Sequence, residues 1–341
     1  MRRVLATVLP IVALAATAAS LPRLAVEYAT SCTSCHVNPS GGGMRTEFGN
    51  HSVAFQELTL QATKSLLADR YRPPRIAEAV TIGFDTRHLV FDDGSVFRMQ
   101  TDAFAAVEPI QNLVYQFRVG ESGISENFAL LSFGDLEYYV KAGRFSPAFG
   151  LHPEDHTAFV RQRTGNPPLL YLDGISVGAA IHPVHASLEA HDRSGQGVYG
   201  VHLFSPLALP SFSIMIGASI RITEDLPAMG DALPHAKALF GGISWSRFTL
   251  MGEADVVGKG NDTIVTYANL TTRLMYGVYL IGEYNFFDGD KELTSGVEEF
   301  VRVSVELYPV PFVQVRPTYT RYTEGPLRDE DDLFVLFHVG Y

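Results

Sequence analysis

The chain has 341 residues, with 26 Lys and Arg against 37 Asp and Glu, so its formal charge is −11. That balance excludes the basic surface that nucleic-acid binding requires. A mean hydropathy of +0.09 excludes a helical membrane protein, and no apolar run beyond the N-terminal leader reaches the roughly 20 residues of a spanning helix.

Arg2 and Arg3 precede an apolar run from Val4 to Ala19, with small residues at Ala16-Thr17-Ala18 and Ala18-Ala19-Ser20. This predicts a secretory signal peptide over residues 1–20, cleaved after Ala18 or Ser20, and export to a bacterial periplasm. Cys32-Thr33-Ser34-Cys35-His36 follows, and the chain holds no other cysteine. C-x-x-C-H is the attachment pattern of a c-type haem: two thiols form thioethers, and the adjoining imidazole of His36 binds one face of the iron. A redox disulfide would need a thioredoxin-like strand–helix setting that the flanks lack. A zinc site would need a further ligand. In an exported chain the pattern therefore predicts one covalent haem c on Cys32, Cys35 and His36.

The segment from His36 to Glu78 is too short to wrap a macrocycle by itself. It opens on Asn38-Pro39-Ser40-Gly41-Gly42-Gly43, a turn that lets backbone lie close to a flat surface, and continues with an amphipathic stretch from Val53 to Ala68. One short helix is expected there, ending near Arg70–Pro73 because Pro73-Pro74 block it. Residues 21–75 are thus predicted to form a haem-bearing plug in or just under the mouth of a barrel built from residues 76–341.

The expected fold class is all-β, a transmembrane antiparallel β-barrel. Phe248, Leu250, Ala254 and Val256 alternate with Thr249, Met251, Glu253 and Asp255, and Val301, Val303 and Val305 alternate with Arg302, Ser304 and Glu306. Apolar-out, polar-in alternation over about 10 residues is the signature of such barrels. Tight turns at Gly134-Asp135, His182–His185, Ser246-Arg247, Tyr276-Gly277 and Pro309–Pro311 alternate with longer polar loops at Thr223–Pro234, Gly258–Asp262, Asp288–Gly296 and Glu324–Asp332. About sixteen strands are expected, fourteen if the region between Asn112 and Arg144 pairs differently. The final strand, ending in Tyr341, resembles the C-terminal assembly signal of outer-membrane barrels.

Cys32–His36 followed by Asn38-Pro39-Ser40-Gly41-Gly42-Gly43-Met44-Arg45-Thr46, and then by a barrel, resembles the fused monohaem cytochrome–porins of bacterial outer membranes. The best-known members belong to iron-oxidising bacteria, with relatives in bacteria that exchange electrons with minerals. The resemblance implies electron transfer across the outer membrane. Its partners would be a periplasmic cytochrome or other redox carrier on one side and an extracellular metal ion, mineral or cytochrome on the other.

Several side chains compete for the sixth iron position. Met44 and His51 lie nearest in sequence. His182, His185 and His338 are expected at the short-turn mouth, and His191 and His202 also face the lumen by strand parity. An open position is the remaining option. The long segment from Ser146 to Tyr171 carries His152, Glu154, Asp155, His156, Arg161 and Arg163. It is either a metal-contacting loop or an inward constriction held by salt bridges. Three functions stay open: an electron conduit with iron oxidase or reductase capacity, a diffusion porin gated or sensed by its haem plug, and a haem enzyme acting on a small periplasmic molecule. For a conduit, one haem cannot bridge an apolar band about 25 Å tall unaided.

Overall fold

In the computed structural model the described residues are 21–67, 75–77, 79–120, 123–134, 137–167, 169–224, 233–259, 263–290 and 296–340. The leader, the helix stop at Pro73-Pro74 and the terminal Tyr341 lie outside them. Sixteen antiparallel strands close into a barrel. They are β1 (Val80–Phe91), β2 (Val96–Ile110), β3 (Leu113–Gly120), β4 (Gly123–Phe133), β5 (Tyr138–Phe145), β6 (Leu172–Ile181), β7 (Val184–Arg193) and β8 (Gln196–Ala208). The second half comprises β9 (Ser213–Thr223), β10 (Ala236–Trp245), β11 (Phe248–Val257), β12 (Thr263–Met275), β13 (Val278–Asp288), β14 (Val297–Val310), β15 (Val313–Glu324) and β16 (Asp331–Gly340). Each strand pairs with its sequence neighbours. β16 closes the wall on β1 in the register His338 opposite Arg87 and Gly340 opposite Asp85. A three-residue strand, Arg75–Ala77, leads into β1. The region around Asn112–Arg144 supplies β3, β4 and most of β5, so the count is sixteen and not fourteen.

The connections β2–β3, β6–β7, β10–β11, β12–β13 and β14–β15 are two-residue turns on one rim, whereas the segment 146–171 joins β5 to β6 on the other. The wall is inverted relative to a soluble barrel. Val303 and Ile216 face outward with 52% and 61% of their surface exposed, while Lys141, Glu306 and Asp255 face the lumen almost completely covered. Aromatic side chains gather beside the short turns. Phe133 stacks on Tyr138 with ring centroids 5.6 Å apart, and Trp245 stacks on Phe248 at 5.6 Å. An outward apolar belt edged by aromatic rings is what a barrel wall presents to lipid.

Residues 21–60 lie inside this wall, and residues 61–67 follow near the short-turn rim with no buried side chain. Helix α1 (Pro22–Glu27) sends Val26 into an apolar cluster with Phe149, Phe240 and Met251, and the Arg23 guanidinium pairs with Glu306 of β14 and sits 4.7 Å over Tyr279. Helix α2 is the single turn Cys32–Cys35. Where the sequence predicts one helix over 53–68, the structure has a π-helix (Gly49–Glu57) and then α3 (Gln61–Leu67). The break has local causes. Thr59 Oγ1 donates back to the Ala54 carbonyl (2.9 Å), and the Leu60 N–H donates to the Tyr308 carbonyl of the wall (3.1 Å). Satisfying the wall's backbone at that point diverts the chain from a continuous helix.

Val303 is the seventh residue of β14, at mid-height on the outer face. Val303→Arg is expected to destabilise the protein by about 2–4 kcal/mol in equilibrium unfolding from lipid vesicles, the cost of a cation at the bilayer midplane. A change below about 1 kcal/mol would mean that this face does not meet hydrocarbon.

Candidate functional site, a cavity between plug and inward loop

The segment 146–171 turns into the barrel and is bonded to the wall through its backbone. The Ala148 N–H donates to Glu189 (2.8 Å), Gly150 to Ser219 Oγ (3.0 Å), Leu151 to Glu253 (2.7 Å) and Phe159 to Asn285 Oδ1 (2.9 Å). Its side chains pair with the wall as well: Asp155 with Arg302, Arg163 with Glu298, and Glu154 with His338 (3.2 Å). Of the two sequence readings, the inward constriction held by ion pairs is the arrangement present. Lumen groups of the wall, Glu253 and Arg302 among them, are engaged in holding this loop.

Plug and loop meet around one cavity with about 810 Å³ of atom-free space counted out to its mouth. Cys32, Cys35 and His36 line it together. Most of the remaining lining is apolar: Leu21, Leu24, Val53 and Leu58 from the plug, Leu151 from the loop, and Phe204, Met215 and Phe240 from the wall. Predominantly apolar walls with a few convergent polar groups are the usual make-up of a cofactor site.

The motif is held by short-range chemistry. The His36 N–H donates to the Cys32 carbonyl (2.9 Å), and His36 pairs with Arg45 as an isolated bridge. The Thr46 N–H bonds the Cys35 carbonyl (3.0 Å) and Thr46 Oγ1 the Ser34 carbonyl (2.7 Å). A Cβ on Gly49 would lie 2.3 Å from the Cys35 carbonyl oxygen, so only glycine lets the π-helix start this close to the thiols. The turn Asn38–Gly43 is anchored to the wall: Asn38 Nδ2 donates to Glu126 (3.1 Å), and Lys141 Nζ donates to Asn38 Oδ1 and Ser40 Oγ (both 3.0 Å). Gly41, Gly42 and Gly43 all have positive φ, at 82°, 74° and 62°, a run that side chains with a Cβ adopt poorly.

No disulfide joins Cys32 to Cys35. Burial pushes the Cys32 thiol up to about 11, and burial with the nearby Arg45 guanidinium pushes His36 down to about 4, which keeps its imidazole neutral. His36 Nδ1 is buried without a hydrogen-bond partner among the described residues. Arg45 also lines the cavity. Its described hydrogen bond is a long one to Asn50 Oδ1 (3.5 Å), no described carboxylate lies within ion-pair distance, and burial pulls it down to about 10. Two thiols, a neutral imidazole, apolar walls and a buried cation match the chemical groups of a haem with its acidic side chains. The residues present fit that cofactor.

Met44, His51, His182, His185 and His338 are not on the cavity lining. Met44 is buried against Phe104 and Ala106. His51 is exposed and stacks on Phe55. His182 is exposed in the β6–β7 turn, and His185 stacks on Phe204 with centroids 4.9 Å apart. Both ring nitrogens of His338 face oxygen partners, Asp85 on one side and Glu154 and Gln314 on the other. The imidazoles that do line the cavity beside His36 are His152 and His202. Strand parity already turned His202 inward. Nothing in the sequence places the tip of a 26-residue connection, so His152 could not be found that way.

A second, polar chamber, open to solvent, adjoins the first and shares His152 with it. Its lining includes Asp85, Arg87, Arg118, Glu126 and Arg161. It shares Gln100, Leu169 and Tyr171 with a vestibule at the long-loop rim. Vestibule, polar chamber and apolar cavity therefore succeed one another from that rim inward.

No family model and no curated protein matches the chain in sequence. Solved structures match it in fold. OprB of Pseudomonas putida at low pH aligns with a TM-score of 0.56 and 8% identity, covering 82% of this chain and 96% of that one. OmpF of Salmonella typhi in complex with daunomycin gives 0.55 and 12%, over 77% and 97%. A loop L8 deletion mutant of OmpT, an outer membrane protein of Vibrio cholerae, gives 0.54 and 10%, over 77% and 100%. The chain shares the barrel fold of these outer-membrane proteins.

Gly49→Ala is expected to cost about 1–3 kcal/mol, the usual penalty of overpacking. The readout is limited proteolysis, with residues 21–67 becoming cleavable while the barrel stays intact. An unchanged digestion profile would show that the π-helix can move off Cys35 at no cost.

Proposed function

We propose that this chain is an outer-membrane electron-transfer protein. It would carry one c-type haem in the barrel lumen, attached through Cys32 and Cys35, with His36 as an axial ligand. The observation that carries the reading is the convergence of both thiols and the imidazole on one apolar cavity inside a closed barrel. When bound there, the haem supplies reversible one-electron chemistry.

The protein's own residues would set the conditions for that chemistry. Leu21, Leu24, Val53, Phe204 and Phe240 exclude water from the cavity, which favours electron exchange over side reactions. Arg45 offers a buried positive charge to a haem carboxylate. Gly49 and Thr46 fix the attachment turn. The polar chamber beyond His152 gives a small hydrated donor or acceptor, such as an iron ion, a way in from the long-loop rim. A periplasmic cytochrome or other carrier would meet the plug at the short-turn rim.

The succession of polar chambers also supports a second reading, a diffusion channel whose haem plug acts as its gate or sensor. The two readings separate in liposomes holding a reduced viologen dye, with a soluble ferric complex added outside. Dye oxidation that is lost in Cys32→Ala and Cys35→Ala is the expected result. Dye that stays reduced in haem-loaded liposomes that leak ions would overturn the conduit and favour the channel.

A further inference from the structure

We propose that His202 supplies the sixth iron ligand, completing a bis-histidine site with His36. The assignment rests on the haem reading above and adds a residue that the attachment motif does not name.

Three observations converge on this imidazole. First, it lines the same cavity as Cys32, Cys35 and His36. It does so from the middle of β8, a hydrogen-bonded strand, and sites on rigid elements hold a ligand more accurately than sites on loops. Second, its Nδ1 lies 2.8 Å from Ser219 Oγ, its cross-strand partner on β9, and that hydroxyl is itself fixed by the Gly150 N–H at 3.0 Å. A histidine that binds metal through one nitrogen almost always donates the N–H of the other to an oxygen, which sets the tautomer and ring orientation. Ser219 is placed to accept that bond, and Nε2 has no hydrogen bond to any described residue. Third, the ring is clamped. It stacks on Phe240 with centroids 5.2 Å apart and planes 9° from parallel, and it leans on Phe204 at 5.4 Å.

The two rivals on the same lining are less suited. His152 already accepts the Phe149 N–H (3.3 Å) and faces Asn166 Nδ2 (3.1 Å) through Nε2, so ligation would break both contacts. The Met215 side chain is packed into the apolar cluster with Val26 and Phe240, with no polar contact to aim its sulfur.

The test uses the full-length protein purified from a host with haem-attachment machinery. It is read by absorption, electron paramagnetic resonance and near-infrared magnetic circular dichroism. The wild type is expected to be low-spin with a bis-histidine signature in its dichroism, a result that needs no variant to fold. His202→Ala should become high-spin and bind carbon monoxide when reduced, and added imidazole should return it to low-spin. His202→Met, which keeps the site filled, should stay low-spin with a more positive midpoint potential, the direction a thioether ligand imposes. Met215→Leu and His152→Ala should leave the low-spin spectrum unchanged. A haem-loaded His202→Ala that remains low-spin overturns the assignment alone. So does a wild type that is high-spin or histidine–methionine ligated, or a spin change caused by either control. A wild type assembled without covalent haem overturns the haem reading itself, and the assignment with it.

Discussion

In a barrel wall that faces lipid, every backbone N–H and C=O must be paired and every charge must point inward, because hydrocarbon can satisfy neither. Closure of β16 on β1 meets the first demand by leaving no free edge. Strand parity meets the second, and the result is a lumen crowded with Lys141, Glu189, Glu253, Glu283, Arg302 and Glu306, all nearly covered. Covered charges are costly unless partnered. The contents of the lumen are therefore dictated by the wall: whatever enters must bring complementary groups.

Plug and loop both do so, and they do it in one connected system. Arg23 of the plug pairs with Glu306, and Gln314 donates to Glu306 (2.7 Å) and to Glu154 of the loop (3.2 Å). His338 then joins Glu154 to Asp85, which Arg87 also approaches at 3.4 Å. On the opposite side Lys141 bonds the Asn38–Ser40 turn, and Glu189 accepts the Ala148 N–H of the loop. Wall groups thus position both bodies from either side, and the apolar cavity remains where the plug's Leu21, Leu24 and Val53 meet the loop's Leu151. The cavity is a consequence of charge pairing around it more than of apolar packing alone. This also explains why His338 is not free to act at the cavity: its two nitrogens are occupied in the network that joins wall to loop.

Much of this arrangement was legible in the residues. Alternation such as Arg302-Val303-Ser304 announces wall parity, and turn chemistry at Tyr276-Gly277 and Ser246-Arg247 announces the short rim. The C-x-x-C-H pattern at Cys32–His36 is readable because it is local, spanning five residues around one turn of chain. The position of the plug's partners was not legible. Met44 is close to His36 in sequence, yet the bridge between His36 and Arg45 turns it away into a pocket with Phe104. The single helix expected over 53–68 failed because the Tyr308 carbonyl, far along the chain, captures the Leu60 N–H. Each miss involves a contact of large sequence separation, Met44 with Phe104 and Leu60 with Tyr308, which no local pattern encodes. His152 belongs to the same class: the length of its connection was visible, but the fold of its tip depends on Glu189, Ser219 and Glu253.

Height within the barrel bears directly on the distance objection to a single-haem conduit. His202 is the seventh of thirteen residues in β8, so it reaches the cavity from the middle of its strand and from neither end. A haem held there, as proposed above, would leave less than the full height of an apolar band about 25 Å tall to cross on either side. On the short-turn side the intervening matter is the plug itself, packed protein with Leu58 and Leu60 against Tyr308 and Gly277. On the long-loop side it is the polar chamber and its vestibule, which a hydrated ion can occupy. Under the proposed function, packed protein on one face would suit exchange with a docked carrier, and a polar approach on the other would suit a small diffusing ion. The asymmetry of the lumen contents, and not the symmetric wall, is what would give such a protein two different partners on its two sides.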